Sequence, residues 1–221
     1  MSQRVTGALL ALIVVASALA GAWTLTQVAP GQAIATHFDG QGHANGWAPA
    51  RIALFIMPAV AALMGGLWFL LPRVTPRGDN LERSGGAYGV IFIAATLMLA
   101  VGQGLIIAAA LGRPVAAVGA MPAAVGLLFI VIGNVLPKLR WNYVVGVRTP
   151  WTLADERVWD RTHRFGGWAM VLGGLAILIG GLIPPYGGKP GLVAGVGGAV
   201  ALLTVIRSYL LWRELPRADA R

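Results

Sequence analysis

Three side chains that could bind a metal ion lie close together in one short segment. His37, Asp39 and His43 stand within seven residues, and imidazole and carboxylate groups are ligands that zinc accepts. If Gly40 and Gly42 turn the chain, the three could close around one ion. The spacing matches no strong metal signature, and a hydrogen-bonded turn in which Asp39 accepts from backbone donors explains the same residues. The segment therefore contains three candidate metal ligands and also has a purely structural interpretation.

A second segment, residues 133–163, is rich in polar and aromatic side chains and contains the third histidine, His163. Thr152 followed by Asp155 is a capping-box pattern, so we predict a helix that begins near Leu153 and continues into the next apolar stretch. The residues expected to share one face of that helix are Val158, Trp159 and Thr162. The arginines expected to reach lipid phosphates or a partner are Arg157, Arg161 and Arg164.

The composition of the chain shows what must position these segments. Apolar residues make up 57% of the 221 residues and charged residues only 11%, with 31 glycines and no cysteine. A small soluble domain carries about 25% charged residues, so this chain needs an apolar solvent. Disordered, collagen-like and disulfide-stapled secreted proteins are excluded by the same composition. We predict an all-α integral membrane protein.

Uncharged stretches of about 20 residues, the length that crosses the hydrocarbon core as a helix, occur six times. A charge occurs only in the last of them, which contains Arg207 near its end. The six predicted spans are Val5–Val28, Ile52–Leu71, Ala87–Leu111, Val115–Leu136, Phe165–Ile183 and Gly191–Leu211. The first also resembles a signal peptide around Ala18–Ala20, but its apolar run continues to Val28, so we expect it to be retained as a helix.

The basic residues predict the orientation of these six helices. With both termini in the cytoplasm, 13 of the 17 lysines and arginines lie inside, three lie outside and one lies within a span. This is the distribution that the positive-inside rule describes. The net charge of +9 therefore reports topology, and we expect no direct binding of nucleic acid. The His37–His43 segment is then external and residues 133–163 are cytoplasmic.

This topology argues against an enzyme or a transporter. His37, Asp39 and His43 lie across the membrane from His163, so they cannot form one acid–base site. The spans contain no carboxylate or lysine, and Gln103 is the most deeply placed strongly polar side chain, so an ion-coupled pump lacks its usual parts. We expect no catalytic residue and no cofactor.

The residues of the second segment resemble the signature of a known family. The matching positions are Asn134, Asn142, Gly146, Arg148, Thr149, Pro150, Trp151, Thr152, Trp159, Thr162 and His163. This pattern is similar to that of the SdpI family, membrane immunity proteins against a bacterial cannibalism toxin. The external segment, with Thr36–Phe38 and Asn45–Trp47, looks like the small domain of unknown function that often precedes it, although Asn45 replaces a usual aspartate and an expected proline before His37 is absent.

The resemblance implies a six-helix protein of the bacterial cytoplasmic (inner) membrane that gives resistance to a secreted toxin peptide. It also implies recruitment of a transcriptional repressor, of the winged-helix type, to the membrane. We expect two regions, 1–86 with the first two helices and 87–221 with the other four and the signature loop, residues 133–163. The alternatives are a role in envelope homeostasis, or a membrane metalloenzyme or transporter. The sequence leaves the oligomeric state open.

The residues also suggest how the signature loop works. Arg148 would pair with a carboxylate or with helix-end carbonyls and so order the loop, while Trp151 and Trp159 would anchor it. Trp141, Trp151 and Trp159 together are typical of an aromatic belt at the membrane interface. We expect toxin to be sensed at the external segment or within the bundle, and the loop to change its exposed arginine and tryptophan surface.

Overall fold

Six long helices dominate the computed structural model, which describes residues 2–39, 43–84, 86–113, 117–183 and 190–215. Within that part of the chain these six are long and apolar enough to cross a membrane, which confirms the predicted membrane architecture. They are α1 Gln3–Leu25, α2 Ala50–Val74, α4 Ala87–Ala110, α5 Ala117–Val135, α7 Glu156–Leu182 and α8 Pro190–Glu214. Two short helices, α3 Gly78–Glu82 and α6 Pro150–Ala154, lie between them. The sidedness of the termini stays a prediction.

The long helices pack as two groups of three. Helices α1, α2 and α4 contact one another, α5 and α8 both contact α7, and α4 joins the groups through α5. The outward faces carry exposed leucine, isoleucine, valine and aromatic side chains, as expected where the solvent is hydrocarbon. Helix α4 packs on α1 and α2 and so belongs to the first group, although in sequence it lies in the predicted region 87–221. The predicted boundary at residue 86 remains untested.

Glycines allow the closest helix pair, α5 and α7, to touch through their backbones. Gly126 and Gly133 on α5 face Gly174 and Gly167 on α7. A Cβ atom added at any of the four would lie 2.6–2.8 Å from the carbonyl oxygen of the facing glycine. The spacing of seven residues on each helix keeps these glycines on one side, and small residues are what permit such close approach in membranes.

The segment with His37 and His43 folds as a hairpin that the sequence analysis did not predict. Strands β1, Ala33–Phe38, and β2, Ala44–Pro49, pair antiparallel, with register irregularities beside His37. We call residues 33–49 the hairpin. Strand β2 runs directly into α2 at Ala50, so the hairpin is mounted on that helix without a linker. The irregular register turns His37 towards Gly46 and its neighbour Asn45.

The signature loop contains two helix starts, and the predicted start near Leu153 is wrong. Thr149, not Thr152, is the N-cap, and it forms a capping box with Thr152 at the start of α6. The chain then adopts an extended conformation at Asp155, whose side chain caps α7. The helix that enters the membrane therefore begins at Glu156 rather than near Leu153. The cap lies at Thr149 because Pro150 follows it and proline suits the first turn of a helix. The Thr149 side chain also contacts Ser208 of α8, which is remote in sequence.

Candidate functional site

The hairpin holds its histidines in hydrogen bonds. Nδ1 of His37 donates to Oδ1 of Asn45 at 2.5 Å, and Oδ1 of Asp39 accepts from the backbone N–H of His43 at 2.9 Å. Oδ2 of Asp39 also lies 3.4 Å from Nδ1 of His43. These are the contacts of the turn interpretation. Among the described residues, no three or more His, Cys, Asp or Glu side chains are grouped so that they could hold a metal ion.

Asn142 organises the first half of the signature loop. Its side chain is fully buried, and Oδ1 accepts from the backbone N–H groups of Val144 and Val145, both at 2.8 Å. Its Nδ2 donates to the carbonyl oxygens of Arg140 and Val145 at 2.8 and 3.1 Å. A buried amide must be paired on both sides to be tolerated. Asn142 meets that condition entirely through the backbone of its own loop.

His163 connects the loop to α7. The backbone N–H of Val147 donates to Nε2 at 3.0 Å, and Nδ1 donates to the carbonyl oxygen of Trp159 at 2.8 Å. The two contacts define a neutral ring with its proton on Nδ1. The ring is fully buried and stacks on Trp159, with 3.9 Å between centroids. With both nitrogens engaged and no access to solvent, the imidazole positions the loop and is closed to a reacting group.

Gly146 allows the backbone of the loop to approach the His163 ring. Its φ of +122° lies in a region that L side chains rarely adopt, and a Cβ atom there would lie 2.3 Å from Nε2 of His163. Both the backbone conformation and the space therefore require glycine. The similarity of this position to the family signature has a physical reason, because the loop closes on the imidazole only through a residue without a side chain.

Trp159 lies in the protein interior, so its predicted place in an aromatic belt is wrong. The side chain is fully buried, and Nε1 donates to the carbonyl oxygen of Leu139 at 2.8 Å. Val158 and Thr162 are fully buried beside it, which confirms the predicted shared face. The hydroxyl of Thr162 is buried with no hydrogen-bond partner in the described structure. Trp159 thus anchors the loop through the protein core.

The threonine cluster fastens the second half of the loop to α8. Thr152 is fully buried and donates to the carbonyl oxygen of Val147 at 2.7 Å, and its Oγ1 accepts from the backbone N–H of Thr149 at 2.9 Å. Oγ1 of Thr149 lies 3.1 Å from Oγ of Ser208. Pro150 occupies the first turn of α6, where its missing N–H costs nothing.

The remaining predicted residues lie nearer the surface. Trp151 is half-buried against Tyr209 of α8, with 5.0 Å between ring centroids. Arg148 is exposed, and its Nη1 donates to the carbonyl oxygen of Tyr143 at 3.2 Å. That contact is with a loop carbonyl, not with the carboxylate or helix-end carbonyls that we expected. Asn134 is exposed on α5 and bonds only to the carbonyl of Ile130, one turn back, apart from the buried cluster.

The loop also carries one ion pair, between Asp155 and Arg157. Nη2 of Arg157 lies 2.7 Å from Oδ2 of Asp155. The side-chain hydrogen bond from Arg157 lowers the pKa of the Asp155 carboxyl below its usual value, against a smaller opposing effect of burial. Arg161 and Arg164 are exposed on the same helix, and their contact with lipid phosphates or a partner stays a prediction.

Sequence reasoning missed the residues that contact the loop from elsewhere in the chain. Nδ2 of Asn80 donates to the carbonyl oxygen of Trp141 at 2.8 Å, and Oγ of Ser84 accepts from the backbone N–H of Arg140 at 3.1 Å. Ser208 supports Thr149 from α8. No local pattern distinguishes Asn80 or Ser84 from other polar residues of a short loop, so only the fold could find them.

The architecture and the loop together define the class of protein. It is a multi-pass helical membrane protein in which buried, hydrogen-bonded polar side chains hold a loop at one end of the helix bundle. Residues 138–208 match the model of the SdpI/YfhL protein family, and residues 12–62 match a domain of unknown function, DUF1648. The two matches lie in the order that the resemblance implies, with the DUF1648 match before the SdpI/YfhL match, and they confirm the resemblance.

One curated relative has the name "Immunity protein SdpI", from Bacillus subtilis (strain 168). It is 42% identical over 48 residues, which are 22% of this chain and 23% of that protein. The chain thus matches about a quarter of the length of this relative. No solved structure matches the chain significantly.

Proposed function

We propose that this protein is an immunity protein of the bacterial cytoplasmic membrane, which protects the cell that makes it against a secreted toxin peptide. The observation that carries the proposal is the SdpI/YfhL family domain at residues 138–208, supported by the likeness to a protein named for immunity. In this proposal both termini face the cytoplasm, the hairpin faces outwards and the signature loop faces inwards.

The hairpin has the properties of a recognition element. His37, Asn45 and Trp47 are exposed, and Trp47 presents 60% of its surface. An exposed tryptophan beside polar side chains can contact an amphipathic peptide at the membrane surface. Burial of apolar surface out of water contributes about 25 cal/mol per Å², but a peptide already in lipid gains little from it. Specificity therefore comes from packing and polar contacts in the hairpin.

The protein acts by binding in this proposal, without chemistry on the toxin. His163 is enclosed with both ring nitrogens engaged, and the hairpin is at the other end of α2, whose 25 residues span about 37 Å as a helix. Residues that could share acid–base work are therefore held apart. Occupancy of the hairpin is communicated to the signature loop, which presents exposed arginines to lipid phosphates or to a winged-helix repressor.

A susceptible bacterium that expresses the chain provides the direct test. Survival in purified toxin peptide should rise with the ratio of protein to toxin and then saturate, and mass spectrometry should recover the peptide unaltered. Trp47→Ala removes the exposed ring of the proposed recognition element and should lower this survival at equal expression. Chemically modified peptide after incubation with purified protein would replace binding with catalysis. Survival no better than that of cells without the protein, at full expression, would refute immunity.

The orientation can be tested separately, because the chain has no cysteine. Single cysteines at His43, Asp79 and Gly112 are probed with an impermeant thiol reagent in intact cells. Labelling is expected at positions 43 and 112, and at position 79 only after permeabilisation. Labelling of position 79 in intact cells would invert the proposed topology.

A further inference from the structure

Arg77 has an unusual backbone in the turn between α2 and α3. It has a φ of +60°, and among the described residues it is the one non-glycine residue with a positive φ. A side chain in this left-handed region is unfavourable compared with the right-handed one. The turn is also tight, because a Cβ atom on the next residue, Gly78, would lie 1.8 Å from the carbonyl oxygen of Pro72. Backbone hydrogen bonds close the turn, from Gly78 to the carbonyl oxygen of Thr75 at 3.1 Å and from Asn80 to that of Arg77 at 3.0 Å.

The side chain of Arg77 reaches from this turn to the signature loop. Its guanidinium carbon lies 3.3 Å from the centroid of the Trp141 ring and 4.7 Å from that of Tyr143. A cation over an aromatic face is attracted by the ring quadrupole. The Nη1 atom is buried and has no hydrogen-bond acceptor within the part of the chain that the structure describes. The contact thus holds the loop while leaving a charged donor unsatisfied.

The residues after Arg77 bind the same stretch of the loop. Asn80 donates to the carbonyl of Trp141, Ser84 accepts from the N–H of Arg140, and Nε of Arg140 donates to the carbonyl of Arg83 at 3.2 Å. Val144 and Val145 then pack against a cluster formed by Leu10, Leu81, Tyr88 and Phe92. We call residues 77–84 the clasp.

The clasp belongs to neither of the matched family regions. These end at residue 62 and begin again at residue 138. Yet the clasp begins three residues after α2, and α2 begins directly after the hairpin. The hairpin and the signature loop are therefore connected by one helix and one turn.

We propose that Arg77 is a positioning residue of the signature loop. Its contact with the Trp141 ring holds the loop in its resting state and can be released. The loop is held by the cation–π contact, and release of that contact gives the buried, unpaired Nη1 of Arg77 access to an acceptor. This lowers the cost of opening. Release uncovers Trp141 and Tyr143. That this release transmits toxin binding rests on the proposed function, whereas the positioning role stands on the contacts alone.

Accessibility of a single cysteine measures the release directly. Val144→Cys places a thiol where the loop packs on the clasp, and the chain has no other cysteine. In purified protein in lipid nanodiscs, Arg77→Ala and Arg77→Gly should each raise its labelling rate about tenfold, since the cation–π contact is lost. Glycine adopts the positive φ without strain, so the second variant keeps the turn. Arg77→Lys, which keeps the charge, should give a smaller increase.

Two controls separate positioning from general destabilisation. Arg83→Ala removes a neighbouring exposed arginine side chain and should leave the labelling of Val144→Cys unchanged. Ser208→Cys, a buried position on α8, reports opening at the other anchor of the loop and should stay unlabelled in the Arg77 variants. Unchanged labelling at position 144 in both variants overturns the proposal, and so does an equal increase at position 208.

A last arm adds purified toxin peptide to the Val144→Cys protein. If the peptide raises labelling in the parent and the Arg77 variants are already at the raised rate, the contact is the one released on toxin binding. If the Arg77 variants raise labelling, but the peptide leaves labelling unchanged and kills expressing cells as readily as cells without the protein, Arg77 remains the positioning residue and the proposed immunity function fails.

Discussion

The hairpin and the signature loop are both polar segments between apolar helices, but they satisfy their polar groups in opposite ways. In the hairpin, the hydrogen bonds of His37, Asn45 and His43 lie at exposed positions. In the loop, Asn142 and His163 are fully buried, and their side-chain nitrogen and oxygen atoms are paired within the protein.

This difference decides which segment can vary. Water replaces a lost hydrogen bond at an exposed site, so its removal costs little, whereas a buried donor or acceptor left unpaired costs about 1–3 kcal/mol. The hairpin can therefore change its side chains without loss of the fold. The loop has a single arrangement in which its groups are paired, so the surrounding protein fixes its position.

The largest expected effect contrasts two glycines with positive φ. Gly146→Ala should destabilise the protein by more than about 3 kcal/mol, because the new methyl group adds overlap with His163 to backbone strain. Gly31→Ala, beside the hairpin with a φ of +79° and nothing within 4 Å, should cost about 1 kcal/mol from strain alone. Thermal unfolding in detergent measures both. Equal losses would show that closure on the imidazole contributes nothing.

Asn142 and Asn45 give the next contrast. Asn142→Ala should cost about 3 kcal/mol, since it leaves buried backbone groups of the loop unpaired. Asn45→Ala removes an exposed partner of His37 and should cost less than about 1 kcal/mol. Denaturant unfolding of the two variants is the measurement. A loss at Asn45 as large as that at Asn142 would contradict the distinction between the two segments.

Arg148 tests whether the loop has a function beyond its stability. Arg148 is exposed and makes one hydrogen bond to a carbonyl oxygen, so Arg148→Ala should change the unfolding free energy by less than about 0.5 kcal/mol. The proposed signalling through the loop should fall at unchanged protein abundance. The Arg148→Lys variant should also show reduced signalling if the planar guanidinium group, with its two parallel donors, is needed. Arg113→Ala, on the hairpin side of α4, is the control with no expected loss. Signalling that falls only with abundance would make Arg148 a folding residue.

The smallest effect concerns pH. Because Arg157 lowers the folded-state pKa of Asp155, the carboxylate contributes stability that is present above its unfolded pKa of about 4 and is lost as pH falls through the folded value. The Asp155 side chain is partly exposed, so the unfolding free energies of the parent protein and of Asp155→Asn should differ by less than about 0.5 kcal/mol at pH 7. Unfolding at pH 7 and pH 3 measures it. A difference that grows on acidification would have the wrong sign.

The six helices and the positions of the two polar segments between them could be predicted from the sequence. Apolar stretches of membrane length and the polar segments between them are local properties, and the hydrocarbon solvent leaves helices as the way to pair their backbones. Val158, Trp159 and Thr162 were predicted on one face because helical periodicity is local too. The orientation across the membrane, which the basic residues predict, remains to be measured.

The positions of the side chains depended on contacts between distant residues. Tertiary structure added the contact of the Thr149 cap with Ser208, which lies 59 residues away. It also buried Trp159 in the core instead of at the interface, and brought Arg77 onto Trp141.

A lone glycine in a loop is compatible with many turns, so Gly146 became informative only when its φ and its distance from His163 were known. The physical reason is general. Solvent preference and backbone pairing act along the chain and are written in composition and period, whereas burial, hydrogen-bond partners and strain arise when separate segments occupy the same space.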